Sequence, residues 1–334
     1  MEAPRTKRAL VIGARGMLGA ATVRAFAGAG WAVRSGARRP GPGQVELDLD
    51  QPAAVAAALQ ERELVINTVP HPALLPERHV LEHGGTLINV SGLPVASGRA
   101  LRAVAAGATG TVLMNAGLAP GVTSVVAADM LRLHPDAEEL EIVFTVSISA
   151  SRGPASVQFL HRGLTGLACH RTILVPLPKP FGKRLCVGFG EQDEGWLGGV
   201  AEGRVVRSYI CIADPEAHAR LLAANWAGSM STVSTSLIDS RQPRLGGGVS
   251  HEPVAHWVAA VRHGRRLIAR TVECRGDTVH AAKSAVAFAD ALLAHRPQRG
   301  CFGPEEIFTL RDVESKLRAA GITIFTHATR SFEP

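Results

Sequence analysis

Of 334 residues, 36 are basic and 29 acidic, for a formal charge of +7, and 46% are hydrophobic against 4% aromatic. A chain this long, with enough apolar side chains for substantial cores, reads as two domains and excludes intrinsic disorder. The arginines are scattered without a basic stripe or a readable motif, which argues against nucleic acid and suits an anionic cofactor or substrate.

Residues 8–12, RALVI, form a short apolar run of the kind buried in a parallel sheet. They lead into Gly13-Ala14-Arg15-Gly16-Met17-Leu18-Gly19 and then a helical pattern, which the glycines at 28 and 30 end. A second strand, WAVRSG, follows, so about thirty residues spell one βαβ unit. In this GxxGxxG variant of the dinucleotide fingerprint, Gly13 permits the tight turn, Gly16 lets backbone approach a pyrophosphate, and Gly19 lets the helix pack closely on the sheet. Arg15, Met17 and Leu18 share that turn and the helix start, whose unpaired N–H groups attract phosphate.

Where NAD-binding chains carry an acidic residue after the second strand, this one reads Arg34-Ser35-Gly36-Ala37-Arg38-Arg39. A carboxylate there would repel a 2′-phosphate, whereas Arg38 and Arg39 can bind it bidentately and Ser35 can add a donor. The expected cofactor is therefore NADP (NADPH).

The next strand ends at Asp48-Leu49-Asp50, ahead of a helix starting near Pro52. Asp48 or Asp50 can accept the adenine amino group there, and an equally good reading makes Asp50 the cap of that helix. ELVINTVPHP and GGTLINVSGLP are further apolar strands, and GTVLMNAGLAPG is one more. Six short strands separated by helices imply a doubly wound parallel α/β sheet of Rossmann type. The nicotinamide is expected over the ends of the last three. That assigns Asn67, Thr68, Pro70, Ser91, Gly92, Asn115, Gly117 and Pro120 to the cofactor.

Asn115-Ala116-Gly117-Leu118-Ala119-Pro120-Gly121-Val122-Thr123-Ser124 opens a helix through a G-x-x-P-G turn. With the GxxGxxG start, the D-x-D after the third strand and the ending GPEEIFTLRDVESKLRAAGITI, it resembles the saccharopine dehydrogenase-like family. The likeness covers the stretch up to about residue 125 and, more loosely, the end of the chain. It implies a pyridine-nucleotide oxidoreductase, often a homodimer, with an α+β second domain built on a mixed sheet. On that basis residues 1–124 are the NADP-binding domain and 125–275 the substrate and dimerisation domain. Residues 276–334 are C-terminal helices packing back on the first.

Gly121 and the free N–H groups beyond it, with the Thr123 and Ser124 hydroxyls, are candidates for a small anionic substrate. In the family the first strand and helix of the second domain border the cleft, which adds Ser149, Arg152 and Arg162. His161 is the candidate acid beside that carboxylate anchor. Short-chain dehydrogenases are excluded because Tyr209 is the single tyrosine and position 213, where their lysine would stand, is Ala213. The five cysteines are widely spaced, with no Cys/His set for zinc, so no metal is expected. No segment reaches the 18 or so apolar residues of a membrane span, and the expected setting is cytoplasmic. The reaction expected is reduction by NADPH of a C=N bond formed from an amine and a carbonyl compound. Carbonyl or enoyl reduction is the alternative, and a non-catalytic NADP-binding sensor is the rival from another class.

Overall fold

A computed structural model describes residues 7–60, 64–147, 154–165, 170–190, 197–230, 252–294 and 298–327. The chain divides into two compact units, residues 1–122 with 281–320 and residues 123–280 with 321–334.

The first unit begins β1 (Arg8–Ile12), α1 (Met17–Gly28), β2 (Ala32–Ala37), β3 (Val45–Glu46), α2 (Pro52–Ala58) and β4 (Leu64–Asn67). It continues α3 (Leu75–His83), β5 (Thr86–Asn89), α4 (Val95–Val104) and β6 (Thr111–Leu113). Far along the chain β13 (Gly300–Phe302) returns to complete a seven-stranded sheet in the order β13-β6-β5-β4-β1-β2-β3. Every pairing in it is parallel. β4 is buried along its whole length, as suits a parallel strand covered on both faces. α1 stops where Gly30, at φ +82°, takes the left-handed conformation that ends helices, and Phe26 packs edge-on against Trp31 just beyond.

The second unit opens with α5 (Val122–Leu133), whose residues from Val122 to Ala128 are all buried, the mark of a helix enclosed on every side. Its strands are β7 (Glu139–Val146), β8 (Thr172–Pro176), β9 (Lys183–Gly188), β10 (Val205–Ile212), β11 (Pro253–Arg262), β12 (Arg265–Arg275) and β14 (Thr323–His327). They form a mixed sheet, β14-β12-β11-β7-β10-β9-β8, in which only β7 and β10 run parallel. Period-two alternation splits β10 between two cores. Tyr209 and Cys211 join Trp257 on one face. Ile210 and Ile212 join Leu164 of α6 (Pro154–Thr165) and Leu221 of α7 (Pro215–Trp226) on the other.

α8 (Asp277–Ala294) starts in the second unit and finishes in the first. α9 (Pro304–Ile307) and α10 (Leu310–Ala319) also belong to the first, while β14 returns to the second sheet. No helix among the described residues is long and apolar enough to cross a membrane.

Candidate functional site

Because all strands of the first sheet are parallel, every turn after a strand lies on one edge. The sequence-derived cofactor residues, apart from Ser35 inside β2, therefore gather there. The glycine turn is held on both sides. Gly13 and Ala14 donate their N–H groups to the carbonyl of Gly36 at 3.0 and 3.1 Å, and the Thr68 hydroxyl donates to the carbonyl of Ile12 at 2.7 Å. Gly13 has φ +81°, and a Cβ on it would lie 2.4 Å from Val69 Cγ2. A Cβ on Gly19 would lie 2.0 Å from the Gly13 carbonyl oxygen, so helix and turn touch backbone to backbone. Gly16 is exposed, and a Cβ there would meet only the Gly13 oxygen, at 3.3 Å. Gly16 is also the cap of α1, with no side chain bonded to the helix start and no acidic residue in the first turn. The helix thus presents bare N–H groups and its positive end. Met17 is exposed and Leu18 half-buried beside it.

Basic side chains collect next to that helix end. Arg15 donates Nη1–H to the carbonyl of Arg39 at 2.7 Å, which draws its guanidinium to the turn after β2, where Arg38 and Arg39 are exposed. No carboxylate among the described residues pairs with any of the three. Arg34 faces elsewhere and donates to the carbonyl of Ala58 at 2.6 Å. Asp48 is half-buried and accepts the Asp50 N–H at 3.1 Å. Asp50 is not the cap of α2: that place falls to Gln51, one residue nearer Pro52, and the exposed Asp50 carboxylate meets His71 Nε2 at 3.1 Å.

On the other side of β1, strand-ending asparagines organise the turns. Asn67 and Asn89 are both buried, and Glu77 in the first turn of α3 accepts from the two amides at 2.7 and 2.6 Å. Burial pushes the Glu77 carboxyl above its ordinary range, against the pull of those two amides. Asn115, at φ +55°, accepts the Leu93 N–H at 2.8 Å. The Ser91 hydroxyl donates to Asn89 Oδ1 at 2.8 Å, Pro70 is exposed, and Gly92 has open space where a Cβ would stand. Gly117 and Gly121 bridge across the buried Pro120 turn, and a Cβ on Gly121 would sit 2.1 Å from the Gly117 oxygen. Glu77 and its pairing with the two asparagines escaped the sequence reading, although LVIN and TLIN end alike and the helix after LVIN has an acidic first turn.

The substrate candidates are placed differently. Thr123 and Ser124 are buried in the first turn of α5. His161 is exposed on α6 with Arg162 half-buried beside it, and Ser149 and Arg152 lie outside the described residues. Among the described residues, no group of three or more His, Cys, Asp or Glu is placed to hold a metal.

No family model matches the chain, and no curated protein matches it. Solved structures do. A DAP dehydrogenase of C. glutamicum in complex with DAP is 15% identical, with 94% of this chain and 96% of that one covered and a TM-score of 0.46. A dipicolinate-bound dihydrodipicolinate reductase from Paenisporosarcina sp. TG-14 is 12% identical, over 91% and 100%, with a TM-score of 0.43. The WlbA dehydrogenase from Thermus thermophilus, in complex with NAD and alpha-ketoglutarate, is 14% identical, over 95% and 94%, with a TM-score of 0.40. Likeness at this distance decides nothing about chemistry, which rests on the residues themselves.

Proposed function

We propose that the chain is an NADP-dependent reductase of the saccharopine dehydrogenase-like type, acting on a C=N bond formed from an amine and a carbonyl compound. The observation that carries the cofactor assignment is the cluster of Arg15, Arg38 and Arg39 beside a bare helix end, without a paired carboxylate among the described residues. The exposed backbone at Gly16 and the first-turn N–H groups of α1 receive the pyrophosphate. Arg38 and Arg39 donate to the 2′-phosphate, and Arg15 adds its charge to the same field. Asp48 or Asp50 accepts the adenine amino group, and the turns after β4, β5 and β6 carry the nicotinamide half. When bound, the cofactor supplies a hydride for an electrophilic carbon. A C=N bond suits such a site because an iminium is already electrophilic, so positioning dominates and no strong general acid is demanded. The first unit takes the cofactor, and His161 and Arg162 are the candidates for substrate contact.

Thermal unfolding with NADPH, NADP, NADH or NAD added separately tests the reading. A nucleotide at ~100 times its dissociation constant adds about 2.7 kcal/mol, easily visible in a melt. The phosphorylated pair should raise the midpoint, the other pair should not, and the Arg38→Ala/Arg39→Ala double variant should lose the difference. Equal shifts for all four would remove NADP preference, and no shift would remove the cofactor assignment. NADPH consumption with amine and keto acid together, but not with either alone, is the expected turnover.

A further inference from the structure

Asn67 and Asn89 end neighbouring strands and face each other directly in the β4–β5 register. Their side chains do the same two things. Each Oδ1 accepts the backbone N–H two residues on, Val69 at 3.0 Å and Ser91 at 2.9 Å, which closes a tight turn. Each Nδ2 donates to one and the same oxygen, Glu77 Oε1. The backbone links the turns further, since Val90 donates to the Asn67 carbonyl at 2.9 Å and Ala116 to the Asn89 carbonyl at 2.8 Å.

The choice of a buried carboxyl needs a reason, because burying one without full compensation is costly. Glu77 is fully buried, and its second oxygen has no hydrogen-bond partner among the described residues. An amide side chain can flip, exchanging its donor and acceptor ends. Two asparagines with Oδ1 turned toward backbone N–H groups must both send Nδ2 the other way, and they need an acceptor there. One carboxyl oxygen with two lone pairs satisfies both. A donor at that point would favour the flipped amides, which would aim NH2 groups at the N–H groups of Val69 and Ser91 and open both turns. The acceptor therefore decides the direction of two amides at once.

In a sheet of this strand order the two mononucleotide halves of a dinucleotide lie on opposite sides of the switch point beside β1. The glycine turn and the three arginines belong to the β1–β2–β3 half, and the Glu77 clamp belongs to the β4–β5–β6 half. We propose that Glu77 is a positioning residue for the nicotinamide half of the cofactor site, acting through Asn67 and Asn89 on the turns that follow β4 and β5. The proposal rests on the NADP reading above. It assigns the adenine half and the nicotinamide half to separate sets of side chains.

Adenosine 2′,5′-bisphosphate, which carries only the adenine half, separates the two. Its affinity and that of NADPH are measured for the wild type, Glu77→Met and Glu77→Gln, with the fluorescence of the reduced nicotinamide as a second signal. Glu77→Met should bind the bisphosphate as the wild type does. It should bind NADPH ~10-fold more weakly, the size of one or two lost hydrogen bonds, and lose the fluorescence change of the bound ring. Glu77→Gln retains an acceptor oxygen and should restore both. If Glu77→Met does not fold, Asn89→Ala, which opens only the Ser91 turn, should give the same selective loss to a smaller degree. Unchanged NADPH binding in the variants, or equal losses for both ligands, would overturn the proposal. A wild type that binds neither ligand would instead sink the cofactor reading itself.

Discussion

The two sheets have seven strands each, yet they use buried polar side chains in opposite ways. In the first sheet buried polar groups stand at strand ends: Asn67 and Asn89 each bond to the turn that follows, and Thr68 to the last carbonyl of β1. In the second they mend the sheet itself. The β7–β11 register ends at Trp257 opposite Val143, and beyond it side chains take over. Ala255 N–H donates to Thr145 Oγ1 at 2.8 Å, and Thr145 N–H donates to His256 Nδ1 at 3.3 Å. His218 of α7 similarly accepts the Ile212 N–H at 3.3 Å while its other nitrogen meets the Leu185 carbonyl at 3.0 Å. A parallel sheet collects its turns on one edge, where they can add up to a binding surface. A mixed sheet spreads its strand ends over both edges, and its polar groups serve the scaffold.

The largest effect that sharpens this contrast belongs to the scaffold. His256 must be neutral to accept from Thr145, and burial pushes its pKa from 6.5 down to about 3. The unfolded chain takes up this proton below its ordinary value, and the folded chain does not until far lower. The contribution is thus fully present above pH 6.5 and is lost as pH falls toward 3, a span worth roughly 4 to 5 kcal/mol. Denaturant unfolding at neutral pH and at pH ~4 should show a steep loss in the wild type. His256→Gln, which keeps an acceptor and does not titrate, should lose markedly less. Equal acid sensitivity in the two proteins would mean that His256 is not the group that titrates.

Next in size is a backbone contact of the site. Gly19→Ala forces a methyl group to within 2.0 Å of the Gly13 oxygen and 2.6 Å of its carbon, so the turn must shift. We expect a loss of about 3 kcal/mol by denaturant unfolding, together with the loss of nucleotide stabilisation. A variant that melted like the wild type would show that turn and helix are looser than they stand.

How much of this could be read in advance follows from how local each feature is. β1 with its glycine turn and α1, and the strands β4, β5 and β6, announce themselves by an apolar run followed by glycine or asparagine, whereas β2 and β3 follow one another without a helix between them. β13 was not legible, because three residues, Gly300 to Phe302, become a strand only through pairing with Thr111 to Leu113 far back in the chain. The order of the second sheet is equally non-local, with β7 between β11 and β10. Glu77 was hidden for a related reason. It sits in LPERHVLEH, a stretch whose charges suggest a solvated helix, and only tertiary placement turns this one carboxyl inward. Asp50 was plausible as a helix cap and missed that role by one residue, since Gln51 holds the position and Asp50 faces His71.

The smallest expected effects concern two helix starts, one in each unit. α7 is closed: Asp214 accepts the Ala217 N–H at 2.8 Å, with proline next in the chain. α1 is open: its cap is Gly16, which offers no side chain. Asp214→Ala should cost about 1 kcal/mol and leave nucleotide binding untouched, the ordinary price of a lost cap. The reverse exchange, Gly16→Asp, places a carboxylate where the backbone is already extended, at φ −73° and ψ 163°. It should change stability by no more than about 0.5 kcal/mol, since glycine is itself a tolerable cap. The same carboxylate would occupy the bare N–H groups and repel a pyrophosphate, so the nucleotide shift in the melt should vanish while the fold is kept. Retained nucleotide binding in Gly16→Asp would show that the open end of α1 is not the phosphate site, and that its missing cap needs a different reason.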